Sequence, residues 1–225
     1  MAVNSFKISP SMMCADFLHL KNTVDLFGEE GIDYLHMDIA DGHYVPNFTL
    51  GLGICRSLYD YSDIPLDIHL MIENPDDHIQ TFSSFTGSIL SFHPEMSPEP
   101  EATMKRIERA GLRPGIVLKP EIPLEQTVTL FPIAAMVTVM TVHPGFAGQA
   151  LVPETIEKLA AAAGFLSSKG LQAEVSVDGN VSWKNAPVMR DAGARVFVAG
   201  TSSVFSREGS LKHNIRRFRG ILSSG

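Results

Sequence analysis

The segment "YLHMDIADGHYVPN" (34–47) sets His36 and Asp38 two residues apart inside an apolar run. In a strand, alternate side chains share a face, so both groups point the same way. In "LDIHLM", Asp67 and His69 are likewise paired on one face, and "AEVSVDG" ends its apolar run at Asp178. His93 and Glu95 stand at the end of a further run, "SILSFHPE". A single histidine at a strand end is more often a hydrogen-bonded core residue than a ligand. Several such groups at equivalent strand ends reverse that expectation, because burying two carboxylates without a cation or donors is costly. Two histidines and two carboxylates converging from three such strand ends are therefore a candidate site for one divalent metal. A mixed nitrogen and oxygen donor set suits zinc, and also manganese, iron or cobalt.

A second group of residues has the character of an anion site. "VHPGFAGQ" (142–149), "DGN" (178–180) and "AGTS" (199–202) each follow an apolar run. Glycines let backbone N–H groups approach an anion, and a short helix after the last strand would add its positive end. Any one of these glycines is explained by a tight turn. Their joint placement favours a phosphate ester, which such loops bind without Lys or Arg.

The elements that must carry these groups alternate regularly. Strand-like runs begin at "FKISPSMM", "DYLHMDIA", "PLDIHLMI", "SILSFHPE", "RPGIVLKP", "AMVTVMTV", "AEVSVDG" and "RVFVAGTS", and a helix-like run follows each. Eight such units without a linker predict one domain over 1–225, a closed (β/α)8 TIM barrel in the α/β class. A doubly wound open sheet is the alternative, but the early glycine fingerprint it needs is missing. In a barrel, active-site groups lie at the C-terminal strand ends, where the polar residues here concentrate.

The chain has 225 residues, 44% hydrophobic and 19% charged, enough apolar content for a sizeable core. A formal charge of -7 argues against a nucleic-acid partner. The basic stretch "HNIRRFRG" is expected to decorate the last helix and its negative end. No secretory signal and no membrane-length apolar run is visible, and Cys14 and Cys55 lack disulfide or zinc-knuckle spacing. A cytoplasmic setting is expected.

Together, "ISPSMMCADF", "HMDIADGHYVPN", "LDIHLM", "VMTVHPGFAGQ", "VDG" and "AGTSSVF" resemble, in order and over nearly the whole chain, the ribulose-phosphate 3-epimerase family. The resemblance implies an isomerase that epimerises C3 of a ketose phosphate, a small-molecule substrate, through an enediolate, and a homo-oligomer. "SPSMMC", "VMTV" joined to "PGFAGQ", and "GTS" lean toward members acting on D-allulose 6-phosphate and D-fructose 6-phosphate, with ribulose 5-phosphate as the alternative substrate. A non-catalytic sugar-phosphate-binding barrel is the reading outside enzymology. Carried over, the resemblance implies one divalent ion (zinc, with Mn, Fe, Co or Mg as alternatives) on His36, Asp38, His69 and Asp178. It makes Asp38 and Asp178 the acid/base pair. It assigns substrate contacts to Ser11, His36, His69, Met71 and Met140. It gives the phosphate to Gly145, Phe146, Ala147, Gly148, Gly179, Asn180, Gly200 and Thr201, with "PGFAGQ" as a lid. The chain departs from the family pattern at Ala40 for Met, at Ser176 for Glu, and at His143 and Asn180. Ala40 is expected to admit a longer sugar.

Overall fold

A computed structural model describes residues 6–224. Eight parallel strands form its sheet: β1 (Lys7–Pro10), β2 (Leu35–Ala40), β3 (Leu66–Met71), β4 (Ile89–Phe92), β5 (Arg113–Leu118), β6 (Met136–Met140), β7 (Glu174–Asp178) and β8 (Val196–Ala199). From β2 to β8 each strand pairs with the next, and β1 pairs with β8, so the sheet curls into the expected barrel. Around it lie α1 (Leu20–Glu29), α2 (Leu52–Tyr61), α3 (Ile79–Phe82), α4 (Pro100–Arg109), α5 (Thr155–Lys169), α6 (Ala186–Asp191) and α7 (Leu211–Ser223). The outward strand residues, such as Leu35 and Met37, are fully buried beneath these helices. Helix α7 shows the matching pattern: Ile215, Phe218 and Leu222 fall on one face and are buried, each contributing roughly 1.5–3 kcal/mol by leaving water.

The seam of the barrel lies between β1 and β2. Among the described residues these strands share no ladder, only the parallel bridge Ser11↔His36 and bonds from the Asp33 and Tyr34 amides to the Ile8 carbonyl. Outside the seam, α7 is clamped to α1. Arg216 grips the Glu30 carboxylate with two nitrogens at 2.9 Å, and Arg219 donates to the carbonyls of Glu30 and Gly31. The basic stretch thus serves the negative end of α1 and not that of its own helix, because the two ends of the chain must meet for the barrel to close.

The interior is layered, as alternation around a tilted barrel requires. At the bottom, Lys7 bonds Glu174 at 2.6 Å, and Tyr34 lies within 3.3 Å of Lys7, Glu174 and Arg113. Above them Tyr34, Ile89, Met136 and Val196 form an apolar layer. Higher still the buried side chains become polar: Ser9, Asp67, Ser91 and Ser176. The core is therefore sealed from below and turns polar toward the C-terminal mouth.

Three expectations about elements are corrected. "PLEQTVTLF" forms two 3-10 turns, Leu124–Gln126 and Val128–Leu130, in place of a helix. Pro123 and Pro132 confine the segment and its β-branched run disfavours an α-helix. "PDDHIQTF" gives a 3-10 turn followed by a single helical turn, α3. After β8 the chain makes only hydrogen-bonded turns, with Ser203 and Phe205 amides both bonding the Gly200 carbonyl, where a short helix was expected.

Candidate active site

Strands β2 and β3 run in register, with His36 opposite Asp67 and Asp38 opposite His69. H-x-D on one strand beside D-x-H on the next produces a checkerboard of imidazoles and carboxylates facing the barrel axis. Asp178, the last residue of β7, reaches the same point from across the seam. One ligand atom from each of His36, Asp38, His69 and Asp178 lies within 4.8 Å of the others. Asp38 Oδ1 is 3.3 Å from His36 Nε2 and 3.4 Å from His69 Nδ1, and Asp178 Oδ2 is 3.9 and 3.8 Å from the same two nitrogens.

Both nitrogens are buried and make no hydrogen bond among the described residues. Polar atoms so placed are rare in a folded interior. Two unpartnered imidazole nitrogens converging with two carboxylate oxygens fit a divalent cation. The neighbours set the orientation. Asp67 Oδ2 accepts from His36 Nδ1 at 2.7 Å, and Ser9 Oγ donates to the same oxygen at 3.0 Å. A carboxylate only accepts, so His36 carries its proton on Nδ1 and directs Nε2 inward. Ser11 Oγ donates to Asp38 Oδ2 at 2.7 Å, which leaves Oδ1 for the histidines.

The two candidate acid/base groups differ in proton affinity. Burial alone raises the Asp38 carboxyl, but the charges of His36 and His69, whose nitrogens lie 3.3 and 3.4 Å away, outweigh it and hold the group well below the usual range. Asp178 lies farther from both histidines; burial first, with the Asp38 charge added, pushes it up to about 6. Burial lowers His36, yet Asp38 and Asp67 more than compensate and hold it well above the ordinary histidine value. The cluster thus attracts positive charge, whether a proton or a cation.

A cavity opens above this floor. Ser11, Asp38, Met71, Met140, Gly145, Phe146, Ala147, Gly148, Asp178, Gly179, Asn180, Gly200 and Thr201 all line it. His36 and His69 sit beneath, 1% exposed each. Every residue anticipated for the site is therefore brought to one place. Met13, Cys14, Val181 and Val198 line the cavity as well and were not anticipated. Gly179 has φ 106°, and a Cβ there would stand 2.6 Å from Val142, so the loop can approach β6 only with glycine.

Segment 143–149 folds over the cavity and is tied on three sides. Asn47 Nδ2 donates to the Gly145 carbonyl at 2.7 Å, His143 Nδ1 meets Glu121 at 2.5 Å, and Asn180 Nδ2 donates to the Gln149 carbonyl at 2.5 Å. Two departures from the family pattern acquire positions here. The Asn180 side chain is engaged by this segment and by Asn185, leaving its backbone for the cavity. Ala40 packs with Val45 and with Met71, itself part of the cavity wall.

Residues 7–205 match the family model described as the ribulose-phosphate 3 epimerase family. A ribulose-phosphate 3-epimerase of Bacillus subtilis (strain 168) is 37% identical over 215 residues, covering 95% of this chain and 98% of that one. The cytoplasmic isoform of ribulose-phosphate 3-epimerase from Oryza sativa subsp. japonica is 38% identical over 208 residues, covering 89% and 88%. Among solved structures, 3-hexulose-6-phosphate synthase from Salmonella typhimurium aligns with a TM-score of 0.68 at 15% identity, over 96% of this chain and 98% of that one. Phosphoribosyl anthranilate isomerase from Thermococcus kodakaraensis gives 0.66 at 12%, over 98% and 100%. At such identities these two structures bear on the fold alone.

Proposed function

Because this chain belongs to the ribulose-phosphate 3-epimerase family, we propose that it interconverts ribulose 5-phosphate and its C3 epimer by two-carboxylate proton transfer. The observation that carries this reading is the pair Asp38 and Asp178. They reach one cavity floor from β2 and β7 with opposite proton affinities. Epimerisation at C3 removes a proton beside the C2 carbonyl and returns one to the opposite face. A single carboxylate cannot reach both faces, so one group must start ionised and the other protonated. Asp38, held ionised and fixed by Ser11, is the base in one direction; Asp178 is then the acid, and the roles exchange in reverse.

His36 Nε2, His69 Nδ1, Asp38 Oδ1 and Asp178 Oδ2 are the atoms that would hold a divalent ion, zinc being well matched to two imidazoles and two carboxylates. When bound, such an ion supplies Lewis-acid stabilisation of negative charge developing on substrate oxygens. The phosphate is assigned to the glycine-bearing loops at 145–148, 179–180 and 200–201, whose backbone amides need no basic side chain. Segment 143–149 excludes water from the reacting carbons.

The hexulose reading rested on short motif preferences and on Ala40. The family relatives described above are named for ribulose phosphate, so the pentulose is the better supported substrate. Incubating the zinc-loaded protein with ribulose 5-phosphate in deuterated water should place deuterium on C3, and Asp178→Asn should abolish the exchange without altering the circular dichroism spectrum. Faster turnover of allulose 6-phosphate in a parallel assay would restore the hexulose reading. Binding of either sugar with no C3 exchange would instead indicate a sensor.

A further inference from the structure

Beyond the four ligands and the acid/base pair, a second set of buried polar groups runs from His69 toward the outer part of the barrel mouth. His93 follows β4 and is fully buried. Its Nε2 lies 2.9 Å from His69 Nε2, and the two rings are 5.1 Å apart with planes at 41°. Its other nitrogen, Nδ1, makes no hydrogen bond among the described residues and lies 3.8 Å from Glu95 Oε1. That carboxylate is itself held by the Tyr44 hydroxyl at 3.0 Å and by Lys119 Nζ at 3.1 Å. The Tyr44 ring lies against His93 at 4.7 Å and restricts its rotation.

We propose that His93 is a positioning residue that fixes the tautomer of His69, with Glu95 selecting the tautomer of His93. The inference rests on the reading of His69 as a metal ligand. Two imidazoles that meet Nε2 to Nε2 share one proton, so one must donate and the other accept. If His69 offers the Nδ1 lone pair to a cation, its proton is on Nε2 and His93 Nε2 is the acceptor. His93 then carries its own proton on Nδ1, facing the Glu95 carboxylate. The opposite arrangement would set the His93 Nδ1 lone pair against that carboxylate, which is repulsive. Glu95 therefore favours the one arrangement in which His69 is a ligand. Asp67 performs the same service for His36 directly; His69 receives it through an intermediate imidazole.

The test is made on the full chain with Zn2+ as the probe. Nitrogen-15 spectra of the zinc-loaded wild type should show His93 protonated at Nδ1 and His69 at Nε2. Removing the acceptor in His93→Leu should weaken zinc binding about 10–100-fold in a competition titration with a chelator, the effect expected of an outer partner. His93→Gln, whose Oε1 replaces the accepting nitrogen, should return affinity to within a few-fold of wild type. A His93 protonated at Nε2 in the loaded wild type overturns the proposal, as does wild-type zinc affinity in a folded His93→Leu. If His93→Leu does not fold, the wild-type spectra and the His93→Gln affinity decide. Failure of the wild type itself to bind zinc would sink the metal reading beneath it, a distinct outcome.

Discussion

At the scale of single residues, the four groups proposed to hold a metal are fixed by partners around them. Asp67 is the clearest, since among the described residues it alone accepts from His36 Nδ1. Asp67→Asn offers either an amide donor or a weaker acceptor and should cost about 10–100-fold in zinc affinity, read by chelator competition. The raised Asp178 carboxyl gives a second expectation, for the metal-free protein. Folded Asp178 keeps its proton up to about pH 6, against a reference value of 3.8. A group with a raised folded value stabilises the fold fully below the unfolded value and loses that contribution as pH rises through the folded one. Chelated wild type should therefore lose thermal stability from about pH 4 to above pH 6, relative to Asp178→Asn, which lacks this proton; parallel melting curves for the two proteins would refute it. His36, Asp38, His69 and Asp178 were legible in the sequence because strand alternation and apolar flanks place them on one face. The role of Asp67 was not, because the intra-strand pairing with His69 hides its partner on β2. Only the register, with His36 opposite Asp67, shows which histidine it serves. His93 stood out as a polar strand end, but its link to His69 depends on ring orientation, which spacing does not encode.

At the scale of elements, all eight strands follow the apolar runs, since a buried parallel strand has almost no other sequence to use. The connections were less legible. The segment between β5 and β6 has helical spacing in its apolar residues, yet it is secured by a distant side chain: Lys158, on α5, donates to the carbonyls of Lys119, Pro120 and Ile122 at 2.9, 2.7 and 2.7 Å. Burial lowers the proton affinity of this ammonium, and all three of its donors are spent on loop carbonyls. The loop they secure carries Glu121, which pins the base of segment 143–149 through His143. Lys158→Met keeps the aliphatic stem and removes the donors. It should destabilise the fold by about 1–2 kcal/mol in a denaturant titration. It should also raise KM for the sugar phosphate more than it lowers kcat, because the loosened loop weakens cavity closure before it touches the carboxylates.

At the scale of the whole molecule, the site and the closure of the barrel are one construction. The proposed ligands come from β2 and β3 on one side of the seam and from β7 on the other. Binding to the folded state alone stabilises it by about 2.7 kcal/mol when free ion is 100 times the dissociation constant. Zinc should accordingly raise the melting temperature, and the rise should vanish in Asp178→Asn if the cross-seam ligand is lost. Arg216→Ala, which weakens the outer clamp between α1 and α7, should make the melting temperature of the chelated protein fall further while the zinc-induced rise persists.

The thin joint between β1 and β2 has a consequence for the protein outside its active form. Elsewhere neighbouring strands share ladders, but here, among the described residues, two strand margins meet through one bridge and two bonds to the Ile8 carbonyl. Such margins are templates for pairing with another chain. A cation held between β2, β3 and β7 would act as a clasp across them, and its removal would leave each molecule with a free selvage that matches that of its neighbour. Metal-stripped protein, warmed at high concentration, should self-associate by strand exchange, seen as growing light scattering that added zinc suppresses. In this barrel the ion that assists chemistry would also keep one copy of the chain from becoming the partner of another.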